Sequence, residues 1–136
     1  MRHAKFTSPT RGDIDWVPDE YRNPIVTGKI RCEGAFVDGE CIAIEGIRPI
    51  LEDTGEAWMI FRGSPADWPG VVIDFRERFP QLCNGYHRVQ AMINLYRPEA
   101  LRFVRWLGMR PEAILYQSGP RRETLITYVT IKGIDR

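Results

Sequence analysis

Two hydrophobic periodicities alternate along this chain. Residues 29–37 (KIRCEGAFV) and 40–48 (ECIAIEGIR) alternate in the manner of strands and flank Asp38-Gly39. An Asp-Gly link between alternating runs favours a type I′ hairpin, whose two central residues need positive φ. The turn sets Val37 opposite Glu40 and Phe36 opposite Cys41. In that register Cys32 sits opposite Glu45, so Cys32 and Cys41 should not bridge. Along the second strand Ile42, Ile44 and Gly46 share one face, and Cys41, Ala43, Glu45 and Ile47 the other. A second turn at Glu52-Asp53-Thr54-Gly55 leads into EAWMIF (56–61), which completes a three-strand meander.

The period then changes. Val71, Val72, Phe75, Phe79 and Leu82 fall at helical spacing behind an Asp67 N-cap and a Pro69 in the first turn, with Pro80, Asn84 and Gly85 closing the segment. YHRVQAMINL (86–95) returns to strand alternation, with Val89, Ala91, Ile93 and Leu95 on one face. Pro98 opens a second helix with Leu101, Val104 and Leu107 as its stripe and Gly108 as its stop. EAILYQ (112–117) and ETLITYVTIK (123–132) are two further strands. The order β-β-β-α-β-α-β-β predicts a mixed α+β fold with a mostly antiparallel sheet and helices on its faces. Residues 1–28 read differently. Pro9, Pro18 and Pro24 and many polar residues predict an irregular, extended N-terminal arm ahead of a domain over 29–136. Trp16, Val17 and Tyr21 would pin the arm to its own domain or offer it to a partner.

Composition narrows the function classes. The 136 residues carry a net charge of +1, which gives no electrostatic case for nucleic acid or an anionic membrane surface. No apolar run has the length of a membrane span, and MRHAKFTSPTRGD has no apolar segment of a signal peptide. Synthesis in a reducing cytoplasm is the expectation. Three cysteines without pair spacing and two histidines argue against a metal site. Cys83 and His87 are four residues apart across a glycine turn, which does not establish a nucleophile pair. Arg102, Arg105 and Arg110 form either a solvated helix face or a phosphate or acidic-partner contact. The aromatic residues Trp58, Phe61, Trp68, Phe75, Phe79 and Trp106 read as core or interface anchors rather than a base-stacking platform.

The segment ALRFVRWLGMRPEAILYQ (100–117), set in this element order, resembles the GNAT superfamily of acetyl-CoA-dependent N-acetyltransferases. It is similar to the family's Asn-x-x-Ala-x-x-Leu-Tyr-x-Lys-x-Gly-Phe, with Ala100 at the alanine and Gly108-Met109 at the glycine-aromatic pair. The resemblance covers about residues 29–132. It implies acetyl-CoA as donor, with pantetheine along Trp58, Met59, Ile60 and Phe61 and the pyrophosphate near Arg62, Gly63 and Ser64. The chain also resembles short phage-encoded GNAT-like proteins, some of them internal virion or head-associated proteins.

Several departures weaken the chemistry. The family's glycine-rich phosphate turn falls on Arg62-Gly63-Ser64-Pro65-Ala66-Asp67-Trp68-Pro69. Two prolines remove N–H donors there, Asp67 adds a negative charge and Trp68 adds bulk. The family's asparagine falls on Arg97, and its thiolate-protonating tyrosine falls on Val104, which has no proton to give. Tyr96, Tyr116 and His87 are candidate replacement acids, and for each of them ordinary packing or a surface hydrogen bond is the stronger reading. Glu45, with Glu56 and Asp53, is a candidate base. Among small and apolar neighbours Glu45 would have a raised pKa, while at a solvated sheet edge it would not. The family's first strand and two long acceptor-side helices have no clear counterpart in residues 1–28. These losses favour a non-catalytic GNAT-like structural or assembly protein, virion-associated, with no cofactor and with other proteins or its own copies as partners. The alternative is a divergent acetyl-CoA-dependent N-acetyltransferase. A small regulatory or host-interaction protein is a third reading.

Overall fold

The computed structural model describes residues 1–29 and 31–136. The elements are β1 (Lys5–Thr7), α1 (Asp19–Val26), β2 (Glu33–Val37), β3 (Glu40–Leu51), β4 (Thr54–Phe61), α2 (Pro69–Cys83), β5 (Arg88–Asn94), α3 (Pro98–Trp106), β6 (Arg110–Leu115) and β7 (Leu125–Ile131). Among the described residues seven strands pair in the order β1-β2-β3-β4-β5-β7-β6. β4 and β5 run parallel, and the β1–β2, β2–β3, β5–β7 and β6–β7 ladders are antiparallel. The expected mixed α+β architecture and the order from β2 onward are present. Residue contacts divide the chain into two compact units, Met1–Arg48 with Ala57–Arg78 and Pro49–Glu56 with Phe79–Arg136.

In the first unit the hairpin turn behaves as its chemistry requires. Asp38 and Gly39 have φ of 51° and 81°, and Val37 pairs with Glu40. Beyond Phe36↔Cys41 the register changes, because Ala35 pairs with Ala43 and Ile42 is left over as a bulge. Glu33, not Cys32, therefore stands opposite Glu45. The bulge also breaks the simple alternation of β3. Ile42 and Ala43 join one cluster with Ala35, Val37 and the Val71 side chain of α2. Cys41 and Ile44 join another with Ile14 and Val17, flanked by Ile25 and Val26. Cys41 to Ile47 are all buried, so β3 is covered on both faces.

Residues 1–28 are more ordered than the expected irregular arm. They form β1, a 3-10 turn at Gly12–Ile14 and α1, all within the first unit. Ile14 and Val17 lie in the core, and the Trp16 indole N–H donates to the Asp13 carbonyl at 3.0 Å. Tyr21 stays exposed. α2 ends just before the Asn84-Gly85 pair expected to close it. Pro80 lies inside it and the helix continues to Cys83 before Gly85 takes φ 91°. Proline removes one helical hydrogen bond. Burial of Phe75, Phe79 and Cys83, four residues apart along one face, offsets that loss.

In the second unit β5, β7 and β6 form a ladder covered by α3. Val89, Ala91, Val104, Tyr128 and Val129 are buried, and the Arg105 Nε–H donates to the Tyr128 hydroxyl at 2.9 Å.

Gly46 tests the tight seating of β3. A Cβ there would stand 2.5 Å from the Arg31 carbonyl oxygen and 3.0 Å from the Trp58 ring. Gly46→Ala should destabilise the protein by about 1–3 kcal/mol in urea unfolding, the usual range for overpacking. An unchanged midpoint would mean that this strand yields easily.

Candidate functional site

The residues expected to meet a donor lie on β4 and the loop that follows. Trp58 and Ile60 pack toward the Ile14 cluster, and Met59 and Phe61 toward the Ala35 cluster. Side chains on both faces are thus committed to packing, and the polar surface of this stretch is its backbone. The parallel ladder covers Thr54–Glu56 against Arg88–Gln90, while β4 continues to Phe61.

The loop is built mainly to satisfy itself. The Arg62 N–H donates to the Ile42 carbonyl at 2.7 Å, and its guanidinium pairs with Glu40. Gly63 takes φ 91°, a backbone that side chains rarely adopt. Ser64 then caps a 3-10 turn at Pro65–Asp67. Its hydroxyl accepts from the Ala66 N–H at 3.3 Å, and the Asp67 carboxylate accepts from the Ser64 N–H at 3.1 Å. Asp67 is therefore the return arm of a capping box, rather than the N-cap of α2. The Asp67 and Trp68 N–H groups donate to the Ser64 and Pro65 carbonyls. Pro65 and Pro69 have no N–H groups, and Gly70 and Val71, the next residues of α2, are both buried.

Glu45 occupies a different environment. It is wholly buried, and neither carboxyl oxygen has a hydrogen-bond partner among the described residues. Opposite it, Glu33 accepts from the Arg78 Nε–H at 2.9 Å and Nη2–H at 2.7 Å. Burial pushes the Glu45 carboxyl up to about 9; Glu33 adds to the rise, and Arg78 opposes it. The raised-pKa environment is present and the solvated edge is not. This carboxyl is sealed from solvent, so it meets no incoming amine in this conformation. Nothing in the sequence pattern pointed to Glu33 or Arg78.

Other candidates scatter. Tyr96 is 77% exposed just after β5 and Tyr116 is 78% exposed just after β6. The His87 backbone N–H donates to the Asp53 carbonyl at 2.8 Å, and its side chain is exposed. Cys83 is buried, and burial pushes its thiol up to about 11, the wrong direction for a nucleophile. Cys32 and Cys41 are free thiols, raised by burial to about 11 and 12. Arg105 is held by Tyr128 and Arg110 by Asp135, while Arg102 is exposed. Val104, at the family's tyrosine position, is a core residue of α3.

Solved structures share this architecture across nearly all of the chain. An acetyltransferase of the GNAT family from Bacillus anthracis aligns with a TM-score of 0.70 at 13% identity, covering 96% of this chain and 98% of that one. The fold is the GNAT fold. The dodecameric spermidine N-acetyltransferase from Vibrio cholerae aligns at 0.72 and 12% identity over 96% and 94% of the two chains. A chimera of the Vibrio cholerae enzyme and hSSAT reaches 0.76 at 12% identity over 95% and 96%. No protein-family model matches the sequence, and no curated protein is similar to it at the level of sequence. The GNAT neighbours correct the expectation of a non-catalytic structural or assembly protein of a virion, because they are acetyltransferases. On the side where the family's acceptor elements were expected to lack a counterpart, a three-residue strand, β1, and one eight-residue helix, α1, precede β2.

Glu45 makes stability depend on pH. The native carboxyl keeps its proton up to about 9, whereas the unfolded chain releases it near the ordinary value of 4.5. Native protein therefore binds more protons in this window, and stability falls as pH rises through it. The slope approaches about 1.4 kcal/mol per pH unit. Glu45→Gln should remove this dependence, matching the wild type near pH 5 and exceeding it by a few kcal/mol near pH 8. Parallel stability curves for the two proteins would show that Glu45 ionises freely in the folded state.

Proposed function

We propose that the chain is an acyl-CoA-dependent N-acyltransferase. The correspondence with acetyltransferase structures along nearly the full length of both chains supports this reading. The bound thioester supplies an activated acyl carbon, which an acceptor amine attacks as the CoA thiolate departs. Pantetheine amides extend a strand, and the backbone of Trp58 to Phe61 suits them because β4 outruns its parallel ladder. Tyr96 and Tyr116 are exposed phenols of the second unit, and no step is assigned to them. No step is assigned to Glu45.

The phosphate end departs from a glycine turn. The capping box uses the loop amides, and Asp67 opposes an anion. Binding there relies on side-chain cations, with Arg62 the nearest in sequence and Ser64 an additional hydroxyl.

Titration of the purified protein with acetyl-CoA should show saturable binding in the micromolar range. Absence of binding at millimolar ligand overturns the proposal. Arg62→Ala should weaken binding about tenfold, the effect of losing one charge-assisted contact. Asp67→Asn should tighten it several-fold by removing the opposing charge, with about 1 kcal/mol of stability lost through the weakened cap.

A further inference from the structure

The first four residues are seated on the start of α2 by three separate contacts. Gly70 allows the closest of them. A Cβ there would stand 1.9 Å from the Arg2 carbonyl oxygen, so the chain passes where only glycine leaves room. One turn further along, Asp74 accepts from the Ala4 N–H at 2.7 Å and meets His3 Nδ1 at 2.8 Å. The third contact is the Arg2 side chain, whose guanidinium carbon lies 5.0 Å from the centre of the Trp68 ring. Trp68 is the residue between the capping box and α2.

This seating holds a second cation beside the loop that carries Arg62. The two arginines are restrained alike. Arg2 pairs with Asp38 at 3.3 Å and Arg62 pairs with Glu40, on either side of Gly39 in the hairpin turn. Both partners of the Arg2 pair are largely exposed, at 65% and 77%, so water screens the pair and an anion of higher charge can displace Asp38. The loop has lost amide donors to two prolines and a capping box. A guanidinium stacked on Trp68 offers a planar fork suited to phosphate oxygens, beside a loop whose own amides are already used.

We propose that the N-terminal segment completes the donor's phosphate site and that Arg2 is the cation it delivers. This inference rests on the acyl-CoA reading above. Arg2 is a binding residue for the nucleotide end of the donor and takes no part in acyl transfer. Gly70 and Asp74 are positioning residues that seat the segment.

Titration with two probes separates the outcomes. CoA carries the phosphates, and pantetheine carries the same thiol arm without them. Arg2→Ala should raise the CoA dissociation constant about tenfold and leave pantetheine binding unchanged. Gly70→Ala, which touches no charge, should unseat the segment and produce the same selective loss. The Arg2→Ala loss should shrink in high salt, as expected for a screened contact. Wild-type binding of CoA that Arg2→Ala matches within twofold overturns the inference alone. An equal loss toward both probes also overturns it, because Arg2 would then support the site only generally. Failure of the wild type to bind CoA overturns the acyl-CoA reading and this inference together.

Discussion

Burial of β3 on both faces is the constraint on which the first unit depends. A strand covered on two sides cannot place polar groups freely, so its alternation must match two different layers. The bulge at Ile42 makes that match. It sends Ile42 and Ala43 toward α2, and Cys41 and Ile44 toward the Ile14 layer. Glu45 follows Ala43 by strand periodicity and is carried into the interior opposite Glu33. The Glu33–Arg78 pair is already satisfied bidentately, so Glu45 enters with no partner left for it. A neutral acid is the cheaper species in that position.

Much of the fold was legible because particular residues leave few alternatives. Asp38-Gly39 can supply the two positive φ values of a tight hairpin. Pro98 and Gly108 bracket α3 by their opposite backbone preferences, and Gly108 takes φ 95°. The bulge was not legible, since no residue type near Ile42 announces one and a period of two hides a single extra residue. Pro80 does not end α2 because its effect on the helix is local, and burial of Phe79 before it and Cys83 after it compensates. In residues 1–28 three prolines and a polar surface masked Ile14, whose 3-10 turn is too short to display a period, whereas Val17 was named as an anchor of the segment.

The candidate site divides in the same way. Arg62, Gly63 and Ser64 were named through the family resemblance, and they lie in the loop between β4 and α2. The capping box was half visible, as Asp67 was given to the wrong helix start. The contact of Arg2 with Gly70 and Trp68 was invisible, since it joins residues far apart in sequence through a close approach that only coordinates show. The functional expectation went wrong for a related reason. Missing motif residues were read as missing chemistry, although a fold can hold a ligand with groups drawn from elsewhere in the chain.

The two ends of the sheet have a consequence for how the protein behaves when concentrated. A long, flat, unpaired strand is a template for another chain. Here one end is β1, three residues long and carrying Lys5. The other is β6, where Pro111 removes an N–H donor and a register shift falls between Pro111 and Ala113. Neither end offers the uninterrupted row of donors and acceptors on which cross-β growth depends, so the native state guards itself against polymerisation through its own strand edges.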